Sequence, residues 1–228
     1  MQKTDEQLMR RRTLSYLGDH KMEGALVLSE EIERCFAELQ AEARFMACYE
    51  KYALDFDEEG YPVIRECSDL TFQSEDLRSI FAGCKSVCVL ASTLGIEFER
   101  YSKRVMSMDM SHGVVLDAAA SAYLEGMTDA YEADLALGAH TIRFAPGYGD
   151  LDLSYNAVLL RAINADKRIG ISHTGGGLFL PQKSMLGLIG IGGEDGFTAD
   201  RCKNCRKRDD CGFRKAGRTC YQRDEDTK

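Results

Sequence analysis

The chain has 228 residues, 44% of them hydrophobic, and a formal net charge of −8. That is enough for one large domain, or one domain with an appendage, around a proper buried core. The acidic balance argues against general nucleic-acid binding, and no apolar run approaches the roughly 18 residues needed to cross a bilayer.

Met1 to Arg12 is polar, carries Arg10-Arg11-Arg12, and has no apolar segment of signal-peptide length behind it, so we expect a cytoplasmic protein. Thr4-x-x-Gln7 reads as a capping box that opens a helix to about Leu17, with Gly18 closing it. Ser29 is placed to cap a second helix, in which Ile32, Cys35, Phe36, Leu39, Ala43 and Met46 follow helical spacing. Cys48 to Phe56 reads as a strand, turning through Asp57-Glu58-Glu59-Gly60 into Tyr61-Pro62-Val63-Ile64 as an antiparallel pair. Ser74 starts a short helix ending near Gly83, and the unbroken apolar run Val87 to Ala91 reads as a strand buried on both faces.

Ile96 to Met106 and Asp109 to Leu137 are predicted helices, the second unusually long. Its small residues, Ala118, Ala119, Ala120, Ala122 and Gly126, permit close approach by another backbone or a ligand, with packing as the default explanation. Ser154 is placed to cap a helix to about Asn164; Ile169-Gly170-Ile171 and Leu186 to Ile191 look strand-like, and Gly190 to Gly196 reads as a loop or linker on its glycine content. Of nine cysteines, Cys35, Cys48, Cys67, Cys84 and Cys88 lie in apolar or amphipathic runs and are read as small buried thiols.

Between the long helix and the Ser154 helix lies Arg143-Phe144-Ala145-Pro146-Gly147-Tyr148-Gly149-Asp150. Arg143 ends a short β-like run from Thr141, so its guanidinium can meet a carboxylate from a rigid element. Pro146 fixes φ, while Gly147 and Gly149 permit positive φ and close approach to the main chain. The stretch suits capture of a small zwitterion, and it also suits an ordinary strand-to-helix loop.

Other ligand motifs fail on spacing. Gly175-Gly176-Gly177 before Lys183-Ser184 lacks the glycine that a phosphate loop needs directly before its lysine, a place held by Gln182. Gly187-x-x-Gly190-x-Gly192 opens no helix, which excludes a Rossmann dinucleotide site. Cys84-x-x-x-Cys88 continues into Ala91, so the three-cysteine radical signature is absent. His173 is read as structural or partly exposed.

Residues 201–228 carry ten Lys and Arg against five Asp and Glu, which marks them as a different kind of segment. We expect two units, 1–196 as the main domain and 197–228 as a basic Cys-rich tail. Cys202-x-x-Cys205, Cys211 and Cys220 could hold a metal, and four thiolates would supply folding energy that this apolar-poor segment otherwise lacks. Zinc and an iron-sulfur cluster share this ligation and are not separated by spacing. The eight Lys and Arg from Arg201 to Arg218 suit docking to an acidic redox protein or form a solvated charge run.

Arg143-x-x-x-Gly147-Tyr148, with the helical run Val115 to Glu125 upstream and Arg168-Ile169-Gly170-Ile171 and Pro181-Gln182-Lys183-Ser184 downstream, resembles the S-adenosylmethionine-binding activation domain of cobalamin-dependent methionine synthase. The likeness runs from about Arg11 to Gly193 and is closest to stand-alone bacterial forms. It implies an α+β fold with helices packed around a central, largely antiparallel sheet. It implies a site in which Arg143 binds the cosubstrate carboxylate, Glu125 accepts from its amino group, Ala145 and Gly147 hold the adenosine end by their backbone, and Tyr148 packs beside it. The implied role is accessory: reductive remethylation of cob(II)alamin held by a separately encoded synthase, with a flavodoxin or ferredoxin as electron donor and cobalamin present only through the partner. Reactivation of another corrinoid methyltransferase, or a non-catalytic cysteine-cluster protein for electron transfer or tethering, are the alternatives. Ser172-His173-Thr174 and the three glycines after it depart from the family's pattern, so no site residue is carried over from that strand.

Overall fold

The computed structural model describes residues 6–19, 24, 26–68, 70–175, 177–192 and 209–215. Cys202, Cys205 and Cys220 of the expected metal cluster, and Thr4 of the capping box, lie outside the described residues; Cys211 is described and half-buried ahead of a single turn, α8 (Gly212–Lys215).

Two helices, α1 (Glu6–Tyr16) and α2 (Ser29–Glu42), precede the first long strand, β1 (Met46–Ala53). Gly18 takes φ +88° after α1, as its predicted closing role requires. Ser29 does not cap α2; its hydroxyl donates to the Leu26 carbonyl while Leu28 holds the N-cap position. The short strands β2 (Asp55–Phe56), β3 (Pro62–Ile64) and β4 (Leu70–Thr71) form a small antiparallel sheet. Next come α3 (Glu75–Ile80), whose Ser74 cap accepts from the Leu77 N–H at 3.0 Å, and β5 (Ser86–Thr93).

Helix α4 (Ile96–Met108) leads into the 25-residue α5 (Met110–Asp134), started by Asp109, which accepts from the His112 N–H at 3.0 Å. After the Arg143 loop come α6 (Tyr155–Ala162), α7 (Ala165–Ile169), the hairpin of β6 (Ser172–His173) with β7 (Phe179–Leu180), and β8 (Ser184–Ile191). Ile169-Gly170-Ile171 is not a strand. Ile169 ends α7, and Gly170 is its left-handed C-cap at φ +71°, a conformation that stops a helix and starts no ladder. Gly190 and Ile191, where the strand-like run Leu186 to Ile191 overlaps the expected loop, are the last two residues of β8, so the strand reading holds for them.

The central sheet has the order β1-β5-β8, antiparallel throughout. Alternation along β5 and β8 sorts their side chains between two layers. Val87, Val89, Ala91, Leu186 and Leu188 face a core shared with Leu77 and Ile80 of α3, Leu159 of α6 and Ile169 of α7. Cys88, Leu90 and Ile189 face the other way, towards Leu137 and the end of α5, and on that side Ser92 bonds Thr128 of α5 at 2.7 Å. The sheet is therefore buried on both faces, which explains the unbroken apolar run in β5. The fold is α+β, with helices on both sides of an antiparallel sheet.

On its outer side α5 receives α1 and α2 in a second core containing Met9, Leu14, Ile32, Leu39, Leu116 and Ala120. Gly126 marks the closest approach: a Cβ there would lie 2.5 Å from Met9 Sδ. The small-residue run of α5 thus serves helix packing, the default reading of it. Cys35, Cys48, Cys84 and Cys88 are buried as expected, with Cys67 partly so.

Candidate functional site

The segment from His140 to Phe144 lies along the free edge of β8. It does not form a strand; only His140 with Ile191 and Phe144 with Leu188 make isolated bridges. Thr141 explains the interruption, because its hydroxyl accepts from the Gly190 N–H at 2.9 Å and donates to the Ile142 carbonyl at 3.0 Å, replacing main-chain partners. Phe144 turns into the core below the sheet, and Arg143 turns to the opposite face, towards α5. Its side chain crosses the strand at Gly187, where a Cβ would stand 2.3 Å from Arg143 Cγ.

Burial leaves 13% of the Arg143 side chain exposed. Nη2 reaches Asp129 Oδ1 at 2.8 Å and Nη1 contacts Glu132 Oε2, both from α5. Desolvation works against the charge of Arg143, but Glu132 and Asp129 outweigh it and hold its pKa above the ordinary arginine value. Asp129 also meets Arg12 of α1, whose Nη1 lies 2.9 Å from Oδ2, and Arg12 Nε lies 3.3 Å from Glu125 Oε2. Desolvation raises the pKa of Asp129, yet Arg143 and then Arg12 more than offset this and bring it below the ordinary carboxylate range. Tyr16 closes the row by donating to Glu125. Burial first, and then the Glu125 carboxylate, push the Tyr16 phenol well above its ordinary pKa, so it stays a donor.

The expected pair, Arg143 and Glu125, is therefore brought to one ladder of charges along α5. They do not face each other across an open gap: Arg12 and Asp129 stand between them. The spacing Glu125, Asp129, Glu132 places all three carboxylates on one helical stripe. Arg12 and Tyr16, four apart on α1, were not read as site residues; that i,i+4 spacing beside a charged stripe was the available signal.

The turn after Arg143 has the geometry its glycines suggest. Gly147 adopts φ +92° and Gly149 φ +51°. Gly147 N–H donates to the Leu151 carbonyl at 2.7 Å and Tyr148 N–H to the Ala145 carbonyl at 2.9 Å. The loop's own bonds thus occupy the Gly147 donor, while the Ala145 carbonyl keeps a second lone pair. Tyr148 stands edge-on to Phe144, centroids 6.1 Å apart, and is 55% exposed, near enough to Tyr16 to raise the pKa of that phenol.

Asp150 fastens the far end of the loop. It accepts from Ser74 Oγ, from the Glu75 N–H at 2.7 Å and from the Asp76 N–H at 3.3 Å. Desolvation raises its pKa, but the Ser74 hydroxyl and those N–H groups prevail and lower it. Gly149 is needed there, because a Cβ would meet Asp76 Oδ2 at 2.0 Å. His173 is exposed, its Nδ1 3.1 Å from the Thr174 carbonyl, which fits the exposed alternative of its reading. Pro181-Gln182-Lys183-Ser184 ties helices together: Gln182 N–H donates to buried Glu99 of α4 at 2.8 Å, and Lys183 Nζ meets Asp117 at 2.9 Å and Ser121 at 2.8 Å on α5.

Two clefts lie elsewhere. One, of about 230 Å³, opens between α1 and α2, where its charged residues Glu6, Arg10 and Glu33 pair with one another. The other, of about 400 Å³, is flanked by Phe56, Arg78 and Gly83, and Arg78 is held by Glu75. In both, the acidic and basic groups are exposed and pair with each other. Among the described residues no helix is long and apolar enough to cross a membrane.

No protein-family model matches the sequence, and no curated protein matches it either. In structure, the chain is similar to the MetH reactivation domain solved with bound AdoHcy, at a TM-score of 0.56 and 13% identity, over 85% of this chain and 75% of that one. The chain thus shares the fold of the MetH reactivation domain, which is the fold its sequence resemblance implies.

Proposed function

We propose that this chain binds S-adenosylmethionine at the Arg143 loop and supports reductive remethylation of cob(II)alamin in a separately encoded cobalamin-dependent methionine synthase. The carrying observation is the charge ladder on α5. Two guanidinium groups, Arg12 and Arg143, face three carboxylates, Glu125, Asp129 and Glu132, and leave one negative charge in excess. S-adenosylmethionine has a carboxylate, an ammonium and a sulfonium, hence one net positive charge, and so complements that excess. S-adenosylhomocysteine has none.

The residues present fit such a ligand through one exchange. Asp129 is shared between Arg143 and Arg12 and is 35% exposed, against 12% for Glu132. A ligand carboxylate takes its place on Arg143 while Asp129 keeps Arg12, so the buried guanidinium is never left unpaired. Glu125 turns from Tyr16 to the ligand's ammonium, Tyr148 covers the ligand from the solvent side, and the second lone pair of Ala145 accepts from the adenosine end. When bound, the cosubstrate supplies the methyl group that traps reduced cobalt on the partner. A low-potential flavodoxin or ferredoxin supplies the electron, and the basic tail offers it a docking surface.

Calorimetric titration with S-adenosylmethionine tests the site. The unchanged chain binds it, and binds it more tightly than S-adenosylhomocysteine. Arg143→Ala, which loses charge-assisted bonds of about 1.5–3 kcal/mol, binds about 10-fold to 150-fold more weakly. Equal binding by the two proteins would place the ligand elsewhere.

A further inference from the structure

Far from the Arg143 loop, at the opposite end of α5, a second cluster of chemically potent groups joins α2 to α5. Glu31, Cys35 and Glu38 are spaced i, i+4 and i+7 on α2, so one stripe of that helix carries all three. His112, in the first turn of α5, points its ring at them and is 7% exposed. The two ring nitrogens have different surroundings. Nδ1 lies 2.5 Å from Glu31 Oε1 and 3.9 Å from Cys35 Sγ, whereas Nε2 lies 2.9 Å from Glu38 Oε2.

We propose that Glu31, Cys35 and His112 Nδ1 bind a zinc ion that clamps α2 to the start of α5, with Glu38 as the positioning residue that holds the histidine by its other nitrogen. The donor oxygen, sulfur and nitrogen all lie within 4.8 Å of one another. Tetrahedral zinc with bonds of about 2.0–2.3 Å needs donors about 3.3–3.6 Å apart. Sulfur and nitrogen are already near that separation. Glu31 Oε1, at 2.5 Å from Nδ1, must swing to reach it, and Glu31 is the most exposed of the three, with 30% of its side chain in solvent. Three protein ligands leave the fourth position to water.

The surroundings favour a cation over a lone thiol. A histidine that binds zinc through one nitrogen ordinarily donates its other N–H to a carboxylate, which fixes the tautomer and ring orientation. Glu38 makes that contact. Cys35 is fully buried on the α2 stripe between the carboxylates of Glu31 and Glu38. Arg34 reaches Glu31 at 3.1 Å and Glu38 at 3.6 Å from the rim and is 53% exposed, so it can yield to a divalent ion. On binding, zinc replaces the Cys35 thiol proton and any proton on His112 Nδ1, and both leave to solvent. The clamp would fix the end of the helix that carries Glu125, Asp129 and Glu132 further along.

The tail thiols would also take metal, so the test uses the full-length chain with Cys202, Cys205, Cys211 and Cys220 replaced by serine. Cobalt(II) serves as the spectroscopic probe, and circular dichroism checks the fold. The proposal expects one equivalent bound with a thiolate-to-cobalt charge-transfer band. In that background Cys35→Ser abolishes the band, His112→Ala abolishes binding, and Glu38→Gln keeps the band while weakening binding about 10-fold to 100-fold. Should Cys35→Ser not fold, Glu31→Gln, at a more exposed position, carries the same test through loss of affinity. A folded tail-substituted protein that binds no cobalt, or whose band survives Cys35→Ser, overturns the proposal in favour of a protonated His112 held between two glutamates.

Discussion

Gly187 offers a way to disturb Arg143 without touching it. The glycine sits in the middle of β8, paired with Leu90, and the Arg143 side chain passes over it on the α5 face. A Cβ at this position would lie 2.3 Å from Arg143 Cγ and 2.7 Å from Cδ. Both separations are far inside van der Waals contact, so in Gly187→Ala the arginine stem must lift, and the guanidinium must leave Asp129, Glu132 or both. Overpacking of this kind costs about 1–3 kcal/mol of stability. If Arg143 grips the ligand carboxylate, its displacement also removes a charge-assisted hydrogen bond, about 1.5–3 kcal/mol, or about 10-fold to 150-fold in affinity. Gly190→Ala is the control, since its Cβ would meet Cys84 Sγ at 2.6 Å on the opposite face of the same strand. Urea unfolding should show both variants destabilised to a similar degree, while calorimetry with S-adenosylmethionine should show weakened binding in Gly187→Ala alone. Unchanged affinity in Gly187→Ala, or equal losses in both, would refute the route by which Arg143 is held.

Glu125→Gln keeps the shape of its side chain and removes the charge meant for the ligand's ammonium; its affinity for S-adenosylmethionine should fall about tenfold on loss of one charge-assisted bond, and calorimetry measuring no change would remove Glu125 from the site. Gly126→Leu forces a side chain into the space of Met9, where a Cβ alone would already lie 2.5 Å from its sulfur, so α1 should detach with a loss of about 3 kcal/mol or more, seen as a lower urea midpoint. Asp129 and Asp150 both have folded-state pKa values below their ordinary range: for Asp129, Arg143 and Arg12 overcome the desolvation that opposes them, and for Asp150 the Ser74 hydroxyl does so with the Glu75 and Asp76 N–H groups. Their contribution to stability is thus present above about pH 4, the unfolded value, and is lost as pH falls through the lowered folded values. Asp150→Asn should show a shallower drop in urea midpoint below pH 4 than the unchanged chain, and parallel curves would contradict the assignment.

Elements fixed by local chemistry were the most legible in the sequence. Asp109 and Ser74 announce helix starts because their side chains accept from the chain three residues on, and the apolar run in β5 announces a strand covered on both faces. Ile169-Gly170-Ile171 misled because β-branched residues flank a glycine that here ends a helix, and apolar content over so short a window does not separate the two states. The run at Thr141 reads as β-like, yet it makes only isolated bridges to the edge of β8, because a threonine hydroxyl takes the Gly190 N–H.

In the candidate site, Arg143, Gly147 and Tyr148 fall within six residues of one loop, so the sequence alone shows them together. Arg12 and Tyr16 are not visible this way, since tertiary packing of α1 onto α5, with Met9 against Gly126, brings them beside Glu125. His112 with Glu31, Cys35 and Glu38 was missed for the same reason: the helical spacing on α2 was visible, but the histidine that completes it lies 77 residues beyond Cys35.

The most direct test of the central claim is anaerobic remethylation of a cobalamin-dependent methionine synthase held as cob(II)alamin, followed by its visible spectrum in the presence of S-adenosylmethionine and a reduced flavodoxin. With this chain added, methylcobalamin should form and synthase turnover return, and with Arg143→Ala the rate should fall with its affinity for the cosubstrate. The same rate of methylcobalamin formation with and without the chain would contradict the account.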